Sequence, residues 1–200
     1  MPGFGVRNLT LCQILQRVKK NCYTLAMNFK LIAVIALLPY TIWLMIDYQY
    51  HFIDGANLLI HEAGHLLFNF IGNHDLTVAG GTILQLFVPL MFAFHLWSGS
   101  DRFGAGLCLF WSGESLMYTA VYLGDAQARK LPLWGGGSHD WAYLLAQLGM
   151  VKNCQEIALA LHLLATVILW AGLFIAFRSA IRPGDSGLID ADSDDLNSEV

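Results

Sequence analysis

Apolar residues run along this chain in five blocks, about 31–49, 53–72, 80–98, 103–123 and 156–177. Each is close to the ~20 residues that an α-helix needs to cross a hydrocarbon core. Ahead of them, Leu11, Ile14, Leu15, Val18, Cys22 and Leu25 recur at helical spacing with Arg17, Lys19 and Lys20 between them, which predicts an amphipathic helix lying at a membrane interface. Between the fourth and fifth blocks, Gly135-Gly136-Gly137 and Ser138-His139-Asp140-Trp141 lead into an apolar stretch, Ala142 to Met150. That stretch is too short to span and predicts a re-entrant or interfacial helix, entered sharply through the glycines. The expected fold is an all-α polytopic transmembrane bundle of about five spans. Its parts are an amphipathic segment 1–30, a single bundle 31–178 and an acidic, disordered tail 179–200.

Composition supports this class. Of the 200 residues, 56% are apolar and 13% charged, with a mean hydropathy of +0.52, a balance of membrane proteins rather than soluble domains. The formal charge of -4 belongs to the tail, where Asp185, Asp190, Asp192, Asp194, Asp195 and Glu199 gather. Basic residues form no stripe interleaved with aromatics, so no nucleic-acid surface is expected. Arg7 and Lys30 join Arg17, Lys19 and Lys20 just before the first span, which by the positive-inside rule puts the N-terminus in the cytoplasm. With no secretory h-region and a compact size, a bacterial inner membrane suits the chain. Cys12, Cys22, Cys108 and Cys154 form no CxxC pair and read as small apolar fillers.

Polar residues inside two of the blocks change the picture. The second holds Asp54, Asn57, His61, Glu62, His65 and Asn69, and the fourth holds Ser112, Glu114 and Ser115. Such groups are expensive against lipid and must face protein or water. Within them His61-Glu62-Ala63-Gly64-His65 sets two imidazoles at i and i+4, on one helix face, where a single tetrahedral zinc ion joins them. Glu62 beside them is not a ligand but a general base for water whose pKa the metal lowers. The competing reading is a helix whose histidines only make interhelical hydrogen bonds.

Residues 61–65 resemble the HExxH motif of the intramembrane zinc metalloproteases of the site-2 protease class, including the small Ala63-Gly64 pair that allows close helix approach. The resemblance covers the second block and, beyond it, only the general layout. It implies hydrolysis of a peptide bond of a membrane-embedded protein or peptide substrate, with His61 and His65 as Zn2+ ligands and Glu62 as base. In that family an aspartate followed by glycine on a distant helix supplies the third ligand. Here Asp54-Gly55 precedes the motif and Gly184-Asp185 lies in the tail, so the third ligand comes from elsewhere. Asp140 is the first candidate, by analogy with the family's carboxylate, and His139 the second, since imidazole serves zinc equally well. A helix cap is the alternative role for Ser138 or Asp140.

Glu114 is the remaining candidate, as ligand or as orienter of a ligand histidine. Asp54 and Asp125 are expected near the interfaces, where water satisfies them. His95 and His162 read as packing groups, and His51 and His74 as interfacial. Gly80-Gly81-Thr82, Gln85 and Pro89 suggest a third helix that starts against a neighbour and bends at the proline, with a possible part in holding extended substrate. A serine–histidine mechanism fits poorly, because Ser115 is followed by Leu116 rather than glycine. The function expected is therefore a zinc-dependent intramembrane peptidase. The alternative is a membrane metal-ion or proton carrier using the same His/Asp/Glu stripe without hydrolysis.

Overall fold

The computed structural model describes residues 11–133 and 138–182. The expectations for residues 1–10, for the glycine run at 135–137 and for the tail beyond residue 182 lie outside them. All regular structure within the described residues is helical: α1 Leu11–Ile46, α2 Phe52–Asn69, α3 His74–Ser98, α4 Arg102–Gly124, α5 Asp140–Gln147 and, after a single 3-10 turn at Val151–Asn153, α6 Cys154–Ala180.

Three stretches are long and apolar enough to cross a membrane: Ile14–Ile46, His74–Ser98 and Val151–Ala180. Their outward faces carry exposed side chains such as Ile35, Phe94 and Phe174, a surface suited to lipid rather than water. Helices α2 and α4, counted as spans from the sequence, are not among the three. The first has 18 residues and carries the HEAGH motif; the second turns Ser112, Glu114, Ser115 and Thr119 into the protein.

Two expected boundaries differ. No separate amphipathic helix precedes the first span, because α1 runs unbroken from Leu11 to Ile46. No glycine or proline interrupts residues 11–38, and Pro39 is accommodated inside the helix. Helix α3 starts at His74 rather than at the glycine pair, because Asn73 caps it by accepting a hydrogen bond from Leu76 N at 3.0 Å. Gly80 and Gly81 therefore lie within α3 and serve its contact with α2. A Cβ on Gly64 would run into the Gly80 carbonyl, and one on Gly81 would lie 2.6 Å from His61 Nε2. Helices α4 and α6 use the same device: a Cβ on Gly106 would come within 2.6 Å of Ala176 N, and one on Gly113 within 2.7 Å of Leu169 N. With lipid as solvent, close backbone approach of this kind replaces hydrophobic exclusion as the source of helix association.

The registers of α1 and α2 matter for the site. Lys30 lies over the ring of Phe103, at the start of α4, whereas His162 Nε2 meets Met45 O at 3.3 Å and Trp170 Nε1 donates to Met45 Sδ at 3.2 Å. Helix α1 thus ends beside the middle of α6. Tyr48 and Asp54 meet Glu114 and its surroundings halfway along α4, and α2 then runs to the level of Thr77 near the start of α3. The chain breaks between α1 and α2 at mid-depth of the bundle, and the motif helix continues toward the end of α4 for which α1 was heading. Val34, Leu44, Phe110, Met117, Leu169 and Leu173 pack the core on one side of this junction. Beyond it, Ala142 and Leu145 anchor α5 against Leu123, Ala126 and Cys154.

Candidate metal centre

On α2, His61 and His65 stand one turn apart with ring centroids 4.7 Å from each other and their planes nearly perpendicular. The Nδ1 of His61 lies 3.0 Å from Gln85 Oε1. An amide oxygen only accepts, so this nitrogen carries the proton. Gln85 is fixed in that orientation because its amino group donates to Ser115 O, Ser115 Oγ and Thr119 Oγ1 on α4 at 3.0–3.2 Å. His65 donates from Nδ1 to the backbone carbonyl of Thr77 at 2.8 Å. In their neutral form both imidazoles are thereby held in the tautomer that leaves Nε2 with a free lone pair.

The two Nε2 atoms converge on one carboxylate. Asp140, the first residue of α5, places Oδ2 3.0 Å from His61 Nε2 and 3.3 Å from His65 Nε2. Three lone-pair-bearing atoms facing one another at this range repel unless a proton or a metal cation lies among them. A zinc ion with ligand bonds of ~2.0–2.2 Å in tetrahedral arrangement sets its ligand atoms ~3.3 Å apart. The two distances from Asp140 fit that demand, and His61, His65 and Asp140 form one of two His/Cys/Asp/Glu groups, among the described residues, close enough to share a metal ion.

Glu62 faces the same space. It lines, with His61, His65, Asp140, Tyr118 and Tyr122, a cavity of about 680 Å³ whose remaining wall includes Tyr48, Tyr50, Leu58, Leu131 and Leu133. The Tyr122 hydroxyl accepts from Asp140 N at 3.2 Å and lies 3.4 Å from Asp140 Oδ2, which ties the α5 end to α4. Sequence reasoning did not single out Tyr122. Its signal was there in the helical spacing of Ser115, Thr119 and Tyr122, a polar face on an otherwise apolar helix.

His139, the second candidate, stands beside the convergent group and not in it. Its Nδ1 accepts from Ala142 N at 3.3 Å and so caps α5, its ring stacks on Tyr122 with centroids 4.3 Å apart, and Nε2 points to Asp125 Oδ2 at 3.7 Å. Burial, the largest influence on it, lowers the His139 pKa. Asp125 in turn accepts the backbone N–H groups of Lys130 and Leu131, each at 2.9 Å, and so shapes the loop that returns to α5.

Glu114 is also elsewhere, at the α1–α2 junction. Asn57 Nδ2 donates to it at 2.8 Å, Tyr48 Oη at 3.2 Å, and His51 Nε2 lies 3.5 Å away. Asp54 completes this group, 2.8 Å from His51 Nδ1 and hydrogen-bonded by Tyr48. The expectation of a wetted, interfacial Asp54 is corrected: Asp54, Asn57 and Glu114 are all fully buried, because the α1–α2 junction lies inside the bundle rather than at its edge. His51, expected at the interface, is drawn in with them. His51, Asp54 and Glu114 form the second group of metal-ligand type among the described residues. Comparison of the chain with protein-family models, with curated proteins and with solved structures finds no match.

Proposed function

We propose that this chain is a membrane-embedded zinc peptidase in which His61, His65 and Asp140 hold the metal and Glu62 is the general base. One observation carries the reading: both histidines spend Nδ1–H on fixed acceptors while their Nε2 atoms meet a carboxylate oxygen at 3.0 and 3.3 Å. Zinc held there supplies Lewis acidity and lowers the pKa of water to about 7. Glu62, half-buried on the cavity wall, takes the proton of the attacking water and passes it to the leaving amine. Gln85 and the Thr77 carbonyl keep the imidazoles oriented. The cavity walls of Tyr48, Leu58, Leu131 and Leu133 exclude water and suit an apolar segment of a membrane-protein or peptide substrate. The resemblance of residues 61–65 to site-2 proteases points the same way.

The membrane arrangement that fits is four crossings rather than five, with α1 and α2 together making one and α3, α4 and α6 the others. The mid-depth break, across which α2 continues in the direction of α1, supports this count. It sets Lys30, Arg102, Arg178 and Arg182 at one end of the bundle, which satisfies the positive-inside rule with both termini in the cytoplasm and suits a bacterial inner membrane.

A carrier is the second reading, favoured by the group of His51, Asp54 and Glu114, in which Asp54 lies two turns before His61 on α2, since two stations in series are how a cation or proton path is built. Metal content of the full chain in detergent, by elemental mass spectrometry, tests the primary reading. About one zinc per chain is expected for the native protein and for Glu62→Gln, and none for His61→Ala or Asp140→Ala. A native chain that takes up no zinc from a zinc-buffered solution refutes it. Glu62→Gln then separates peptidase from carrier, abolishing hydrolysis in the first case and leaving ion passage in the second.

A further inference from the structure

At the end of the bundle remote from the metal centre, α3, α4 and α6 enclose a second cavity of about 370 Å³, lined by Trp97, Arg102, Phe174, Ile175, Arg178, Ser179 and Arg182. Arg102 and Tyr122 are twenty residues apart on α4, so roughly 30 Å separates this cavity from the first at 1.5 Å per residue. Three arginines line it, and among the described residues no carboxylate lies within ion-pair distance of any of them.

Two of its donors are buried without an acceptor. Ser179 is 5% exposed and its Oγ has no hydrogen-bond partner, and neither has the buried Nη1 of Arg102. A buried donor left unpaired costs about 1–3 kcal/mol, so two in one notch mark a place for an acceptor that the described residues do not supply. The Arg102 guanidinium lies 3.7 Å from the centroid of the Trp97 ring, which fixes its plane and leaves its edge for an anion. Arginines present fork-like donors to tetrahedral oxyanions, and the aromatic and apolar remainder, Trp97, Phe174 and Ile175, suits the region where headgroup meets acyl chain.

We propose that this cavity binds a phosphate group, with Arg102, Arg178, Arg182 and Ser179 as its donors. The phosphodiester of an anionic phospholipid and free inorganic phosphate share this chemistry. The site does not depend on the metal-centre reading.

The test uses the full chain in a neutral detergent, with native mass spectrometry counting retained lipid and far-UV circular dichroism confirming helix content. Phosphatidylglycerol, phosphatidylcholine and inorganic phosphate are titrated separately. Saturable retention of one phosphatidylglycerol, in preference to phosphatidylcholine and not displaced by millimolar phosphate, is expected if the source is lipid. Equal competition by inorganic phosphate assigns the site to the free ion. Either result requires that Arg178→Gln and Arg182→Gln each weaken binding about fivefold. Should an arginine variant lose helix content, Ser179→Ala, which removes one hydroxyl, serves in its place and is expected to weaken binding severalfold. Equal retention of both lipids with no phosphate effect, or binding unchanged in well-folded variants, overturns the proposal.

Discussion

Gln85 offers the sharpest test of the metal centre because it touches neither substrate nor the proposed ion. It is 1% exposed and stands between His61 on α2 and Ser115 and Thr119 on α4. Gln85→Leu keeps the volume and removes the acceptor for His61 Nδ1–H. The buried N–H is left unpaired, at a cost of about 1–3 kcal/mol, and the imidazole is free to take its proton on Nε2, the tautomer that cannot ligate. Loss of such an outer partner lowers metal affinity about 10–100-fold, which corresponds to roughly 1.4–2.8 kcal/mol. Competition for zinc with a chromophoric chelator, in detergent at neutral pH, reads this directly. Gln85→Glu restores an acceptor toward His61 while losing the donors toward α4, so its affinity is expected to return to within a few-fold of native. Unchanged affinity in Gln85→Leu, alongside abolished binding in His61→Ala, would refute the account in which this amide sets the tautomer.

Three further outcomes follow from the same geometry. Gly81→Ala places a methyl 2.6 Å from His61 Nε2 and is expected to abolish zinc uptake and cost about 1–3 kcal/mol of stability, checked by metal content and thermal unfolding in detergent. His139→Ala removes the α5 cap and should lower stability by about 1 kcal/mol while leaving about one zinc per chain; loss of the metal with the helix intact would make His139 a ligand. Glu114→Leu leaves the donors of Asn57 and Tyr48 without their acceptor and should destabilise by about 1–3 kcal/mol per unpaired group, again with zinc content unchanged.

Much of this was legible in the sequence where local periodicity governs. The i, i+4 spacing of His61 and His65 fixes their shared face whatever surrounds them, and the apolar blocks mark the helices. Asp140 was reachable because a glycine-rich return followed by a polar triplet and a short apolar helix has few places to go. What local pattern did not reveal was depth. Nothing in residues 47–57 says that the α1–α2 junction lies inside the bundle, so Asp54 and His51 read as wetted and Glu114 as a free candidate for the metal. The glycine pair of α3 misled for a related reason. A glycine that breaks a helix and one that admits a neighbouring helix look identical until the neighbour is known, and here it is the pair of imidazoles packed against Gly81.

The proposed ligands are far apart along the chain, two on α2 and the third on α5 beyond two intervening helices. On this reading the emerging polypeptide holds no complete trap for zinc. His61 and His65 alone offer a weak bidentate grip, and the closing carboxylate arrives only after α3 and α4 are seated and α5 has folded back. Joining residues 65 and 140 through an ion closes a long loop, and its entropic cost falls on the chain before any contact repays it. Metal capture then becomes a late step of biogenesis, a checkpoint that keeps half-inserted chains without a complete site and lets protection of α5 from hydrogen exchange report the moment at which that site closes.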